Sequence, residues 1–283
     1  MAVSNEFDHG AASQHSLGDP SGWPTPRWSQ HASELIMKRM GIQTAILSVT
    51  APGACIIPEE GAQAAFARQL NEYAAKIRDN SPSKFRFFAN LPDIRNTSAA
   101  IAEIRYAMDE LHADGVVLFT RYGPENIYLG HPKIEPIWQE LNKRRAVVFV
   151  HPTHLVDTNK VNPRMPQPMI DYPHETTRSA MDMIMSRTLQ KFPDVKVILS
   201  HAGGTLPYLI SRIATPLQKA PNFAARWSIG VTHEEVVESF RSFYYDTALS
   251  SSKEVLRTLL SSVPEDHILF GVSVSCHYLI FRC

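Results

Sequence analysis

Two histidines close successive apolar runs of strand length. His151 ends the run VVFVH and His201 ends VKVILSH, and turn chemistry follows each at once, as Pro152-Thr153 and as Ala202-Gly203-Gly204. Any single member of the 12 His is most simply an ordinary satisfied or exposed residue. Two at the same end of successive strands reverse that reading. Neutral imidazole ligates divalent metals and exchanges protons near neutral pH, so the pair suits either a zinc-type centre or proton transfer. Asp246 closes SFYYD at a third strand end. Its carboxylate could ligate a metal, support one of the histidines, or simply cap the turn that carries Thr247 and Ser250, and these readings stay open.

His154 lies three residues past His151 on the following loop, as a lid or supporting residue or as a solvent-facing one. Arg121 and Tyr122 follow the run VVLF and could meet an anionic substrate, because a planar guanidinium binds a carboxylate through two donors. A solvated loop arginine is the equal alternative. His174, Glu175 and Arg178 share one face of a helix start and read as structural. Cys55, in APGAC, reads as a small buried residue.

The elements that must position these groups alternate. Strand-length apolar runs at 43–49, 85–91, 115–119, 146–151, 195–201, 242–246 and 267–271 are interleaved with helical periodicity at 59–77, 97–111, 132–143, 174–191, 206–217 and 252–261. Near-continuous apolar runs fit strands buried on both faces of a parallel sheet. Neither G-x-G-x-x-G nor G-x-x-x-x-G-K-[ST] occurs, which disfavours an open nucleotide-binding sheet. The expected fold is therefore an α/β, TIM-type (β/α)8 barrel with its chemistry at the C-terminal strand ends.

Seven strands leave such a barrel one short. A helix at 29–40, capped by Ser29, precedes the first visible strand, and the Gly-, Pro- and Ser-rich segment before it holds no four-residue apolar run. The sequence thus predicts an incomplete barrel, with the first strand and the last helix missing. Its parts are an irregular N-terminal segment at 1–28, a barrel domain at 29–271 and an aberrant C-terminal tail at 272–283, VSVSCHYLIFRC. Open strand edges predict self-association, and a homodimer is its simplest form.

Composition bounds the partners. The 283 residues are 44% hydrophobic and 20% charged, the composition of a globular chain. Lys plus Arg (28) balances Asp plus Glu (28), so there is no net field to hold nucleic acid or an anionic membrane. Three cysteines without a C-x-x-C pair, no secretory leader and no membrane-spanning run predict a soluble, cytosolic protein that acts on a small molecule.

The segments KFPDVKVILSHAGGTLPYLISRI, GIQTAILSVTAPG, ELNKRRAVVFVHPTH, FYYDTALS and EDHILFG together resemble the amidohydrolase-related, metal-dependent decarboxylases. That family includes aminocarboxymuconate-semialdehyde decarboxylase and the fungal 6-methylsalicylate decarboxylases. The resemblance implies a carboxy-lyase for a small aromatic carboxylic acid. It implies a divalent metal, zinc or manganese, held by His151, with His201 handling substrate or protons. Family members also carry an H-x-H pair on an opening strand and an Asp directly after the last strand. Here His9 and His15 lie six apart in no strand-like run, and Gly271-Val272-Ser273-Val274 stands where the Asp is expected, so metal retention by this chain is doubtful. A hydrolase of the same superfamily and a non-catalytic, truncated gene product are the alternatives.

Overall fold

The computed structural model describes residues 28–274 and 277–281, and the side chains from 273 onward are outside the description. Chain order begins with α1 (Gln30–Met40), β1 (Ala45–Val49), α2 (Glu60–Asn80), β2 (Phe85–Asn90) and α3 (Thr97–Arg105). It continues with β3 (Gly115–Phe119), a small hairpin of β4 (Arg121–Tyr122) and β5 (Ile127–Tyr128), then α4 (Glu135–Lys143) and β6 (Val147–His151). After these come α5 (Asp171–Met185), α6 (Thr188–Lys191), β7 (Lys196–Leu199), α7 (Leu206–Lys219), α8 (Pro221–Ala224) and α9 (His233–Ser242). The last elements are β8 (Tyr244–Asp246), α10 (Lys253–Leu260), β9 (Ile268–Val274) and β10 (His277–Phe281).

The strands β1, β2, β3, β6, β7, β8 and β9 pair in parallel, each with the next, as a curled α/β sheet of TIM type. β10 takes the remaining position and runs antiparallel to both β1 and β9, so the ring is closed. The expectation of open strand edges therefore fails: residues set apart in the sequence as an aberrant tail form the end of β9 and the closing strand. Among the described residues β9 is followed by this strand. The reading of 1–28 as strandless lies, but for Trp28, outside the described residues.

Local rules account for the helices. Ser29 caps α1, its hydroxyl accepting from the Ala32 N–H at 3.1 Å, and Gly41 ends the helix in the left-handed region. α4 lays Ile137, Trp138 and Leu141 against the sheet, and the Trp138 indole N–H donates to the Leu129 carbonyl at 2.7 Å. Each such apolar side chain contributes about 1.5–3 kcal/mol by leaving water. α9 escapes the sequence reading because HEEVVES is polar around most of its turn. Its start is nonetheless specified: the Thr232 hydroxyl accepts from the Glu235 N–H while the Glu235 carboxylate accepts from the Thr232 N–H. Thr232→Ala is expected to cost about 1 kcal/mol in urea unfolding, with the far-UV signal of the folded state unchanged.

Candidate functional site

The ring's register turns the last inward side chains of the parallel strands toward the C-terminal mouth. His151 pairs with Phe119, and the Thr50 hydroxyl reaches His151 Nε2 at 3.4 Å although β1 and β6 are not neighbours, so both side chains point inward. Alternation along the paired strands then places Asn90, Phe119, Ser200 and Asp246 on the same face. His151, His201 and Asp246 are all buried. The structure thus gathers the three groups that the strand ends suggested.

His151 Nδ1 lies 2.7 Å from the Pro152 carbonyl, which only an N–H can satisfy, so the proton sits on Nδ1 and Nε2 keeps its lone pair. The His201 ring lies next to it, with centroids 6.3 Å apart. Burial, helped by the neighbouring His201, pushes the His151 pKa down to about 3, and burial takes His201 down to about 4. Both imidazoles are neutral at pH 7.

His201 and Ala202 adopt φ values of 55° and 56°, unusual for residues with a Cβ, and Gly203 and Gly204 continue the left-handed turn. Gly204 is required by close approach as well: a Cβ there would lie 2.0 Å from the Pro173 carbonyl. Asp246 holds this turn. Its Oδ1 accepts from the His201 N–H at 3.1 Å and from the Ala248 N–H at 2.8 Å, so one carboxylate oxygen ties the loops after β7 and β8 together. Of the readings left open for Asp246, the cap and the support of a histidine are what this geometry displays. Its Oδ2 is buried with no hydrogen-bond partner among the described residues, and burial lifts the carboxyl to about 7 against the two backbone donors that favour the anion.

A cleft of ≈ 880 Å³ adjoins this centre on the side of β1 to β3. Phe119 and Thr153 belong to its wall, and the Phe119 ring stands edge-on to His151 at 6.3 Å between centroids. Arg121, Tyr122 and His154 line it too, but two of them are already committed. The Arg121 guanidinium donates to the carbonyls of His154, Gly123 and Glu125, and the Tyr122 hydroxyl accepts from the Phe119 N–H at 2.9 Å. Arg121 thus clamps the loops that shape the cleft. The Cys55 thiol, pushed up to about 12 by burial, is a cleft-wall residue without nucleophilic character at pH 7. Thr50, Asn90 and Ser200 were not anticipated. Their signal was positional: each is the last inward residue of its strand or just beyond it.

A closed ring whose βα strands run parallel, with two neutral imidazoles and a buried carboxylate at its C-terminal mouth, is the layout of an enzyme for small molecules. The chain belongs to the amidohydrolase family, whose model matches residues 11–272. It is 52% identical over 254 residues to 6-methylsalicylic acid decarboxylase of Penicillium expansum, a match covering 90% of this chain and 77% of that one. It superposes on 2,6-dihydroxybenzoate decarboxylase, solved with 2,6-dihydroxybenzoate, at a TM-score of 0.76 and 25% identity, over 86% of this chain and 76% of that one. The fold is shared as well with a dihydroxybenzoic acid decarboxylase of Polaromonas sp., solved with manganese and 2-nitroresorcinol (TM-score 0.73, 23% identity, 87% of this chain and 75% of that one).

The described residues do not fit a metal by themselves. His151 offers one lone pair, and no group of three or more His, Cys, Asp or Glu is placed to hold an ion among them.

Asp246 yields a pH test. Its folded pKa of about 7 stands above its ordinary 3.8, so the folded chain keeps a proton that the unfolded chain releases first. That contribution is present below about pH 4 and is lost as pH rises toward 7, at up to about 1.4 kcal/mol per unit. Asp246→Asn removes it: urea unfolding across this range should show the variant gaining stability relative to the wild type by a few kcal/mol as pH rises.

Proposed function

We propose that this chain is a nonoxidative carboxy-lyase acting on a small aromatic acid of the 6-methylsalicylate kind. The observation that carries the reading is the neutral imidazole pair at the ends of β6 and β7 beside an aromatic-walled cleft, in a chain half identical to a decarboxylase of that acid.

In this reaction the bond between ring carbon and carboxylate breaks, its electron pair stays on the ring carbon, CO₂ departs, and a proton takes its place. The residues supply what that sequence needs. Phe119 and Tyr122 give the ring an apolar wall. His151, with Nδ1 tied to Pro152, presents a lone pair that can accept from a ring hydroxyl. His201 handles the proton that reaches the ring carbon, and Asp246 positions it through the bond to its backbone N–H. His154 and Arg121 line the cleft as well.

Purified full-length chain, incubated with a panel of 2-hydroxybenzoates with and without added Zn²⁺ or Mn²⁺, is expected to release CO₂ from 6-methylsalicylate. His201→Ala should lower the rate by about 10²-fold or more. Absence of CO₂ from every acid would overturn the reading, and turnover of an ester, lactone or amide without CO₂ would move the chain to the hydrolases.

A second reading, a non-catalytic chain, is favoured by the lack of any group of three or more His, Cys, Asp or Glu placed to hold an ion among the described residues. Metal analysis after extensive dialysis is expected to return well below one zinc or manganese per chain. One tightly held ion per chain would show that residues beyond those described complete a site.

A further inference from the structure

Clamping its loops takes only part of the Arg121 guanidinium. Nε donates to the His154 carbonyl at 2.9 Å, and Nη1 donates to the carbonyls of Gly123 and Glu125. Those three bonds use every N–H of Nε and Nη1. The two N–H groups of Nη2 have no hydrogen-bond partner among the described residues. Arg121 is 5% exposed and belongs to the wall of the cleft, so this unused donor needs no rearrangement to meet a guest there.

Its charge is unmatched as well. A buried cation is costly unless a carboxylate pairs with it. Arg121 forms no ion pair among the described residues, and burial pulls its pKa below the ordinary 12.5 although Glu175 works against that. The guanidinium is still charged at pH 7. Glu175 is itself engaged: its Oε1 accepts from the Tyr128 hydroxyl at 2.9 Å and lies 3.6 Å from Arg178 Nε. Two guanidiniums therefore draw on one carboxylate. The acids of the cleft wall do not make up the difference, since Asp93 is held by Arg95 at 2.7 Å and Glu60 accepts from the Asn96 amide at 3.0 Å.

A preformed donor, an uncompensated positive charge and an aromatic wall, the Phe119 ring two residues earlier, define one guest: a carboxylate carried on a ring. An acid bound this way leaves the lone pair of His151 Nε2 to the ring hydroxyl and sets no anion against it.

We infer that Arg121 is the specificity-determining residue for the acid group, its Nη2 donating to the carboxylate of the aromatic substrate while Nε and Nη1 hold the loops. The inference rests on the reading of the chain as an aromatic-acid decarboxylase. The phenol left when CO₂ departs carries no carboxylate, so the contact that holds the acid does not hold the product. A cation also favours the bound acid over a transition state in which charge is leaving the carboxylate, so the residue acts on KM and not on the chemical step.

Full-length wild type, Arg121→Gln and Arg121→Lys are compared by equilibrium binding of salicylate and of salicylamide, which keeps the ring and hydroxyl but has no charge. CO₂ release from 6-methylsalicylate is resolved into KM and kcat. The wild type is expected to bind salicylate at least about tenfold more tightly than salicylamide, the worth of a charge-assisted hydrogen bond. Arg121→Gln should erase that preference, leave salicylamide binding within about threefold, and raise KM at least about tenfold with kcat within about threefold. Arg121→Lys keeps the charge and should restore part of the preference. A residue that only clamps loops would weaken both compounds alike and lower kcat; that result, a folded Arg121→Gln that keeps the preference, or a wild type without one overturns the inference. Should Arg121→Gln fail to fold, a crystal structure of the wild type with salicylate decides: a carboxylate oxygen within about 3.2 Å of Nη2 supports the inference, and a carboxylate placed elsewhere overturns it. If the wild type releases no CO₂ from any acid yet prefers salicylate through Arg121, the decarboxylase reading falls and the acid site stands.

Discussion

Everything at this site depends on the register of parallel strands in a ring. Neighbouring strands level their residues, alternation decides which of them face inward, and the βα direction puts every loop that follows at the same mouth. Residues as far apart in sequence as Thr50, His151 and Asp246 meet because each is the final inward position before its chain turns away. No one of them needs a special local conformation to arrive there. His201 is the exception, since it lies past the last paired residue of β7 and reaches the mouth only through a left-handed turn that Asp246 ties down.

That arrangement sets the electrostatics. The ring closes off solvent from its interior, so the charged form of every mouth group is disfavoured and the imidazoles stay neutral while Asp246 tends to keep its proton. A chemistry that draws on neutral nitrogen lone pairs and a carboxyl with a pKa near 7 is what such a setting favours. The two backbone donors on Asp246 Oδ1 oppose the trend without reversing it, which shows burial to be the larger effect.

Much of the fold could be read from the residues. The parallel strands announce themselves because strands covered on both faces are continuously apolar, and the strand-end histidines followed by turn residues mark the mouth. Other features left no mark of that kind. α9 is polar on most faces and is specified by a capping box. The closing role of β10 is a matter of long-range pairing: VSVSCHYLIFRC looks wrong for a barrel only while parallel order is assumed, and an antiparallel strand fits the gap between β1 and β9. Arg121 reads as a ligand-binding arginine because its type and position allow it; which carbonyls its guanidinium also holds depends on how the loops after β3 and β6 fold over it. Asn90 carried no motif at all: its Oδ1 accepts from the Ala54 N–H, a contact between segments far apart in sequence.

The buried polar chain from Arg68 through Glu103 and Asn71 to Asn90 begins at a side chain that is 37% exposed and ends at the mouth of the ring. It crosses from the outer helices to the inner strand without passing through the backbone of either neighbouring loop. The strand end that carries Asn90 is therefore held by side chains of two helices, Arg68 and Asn71 from α2 and Glu103 from α3, and not by sheet pairing alone.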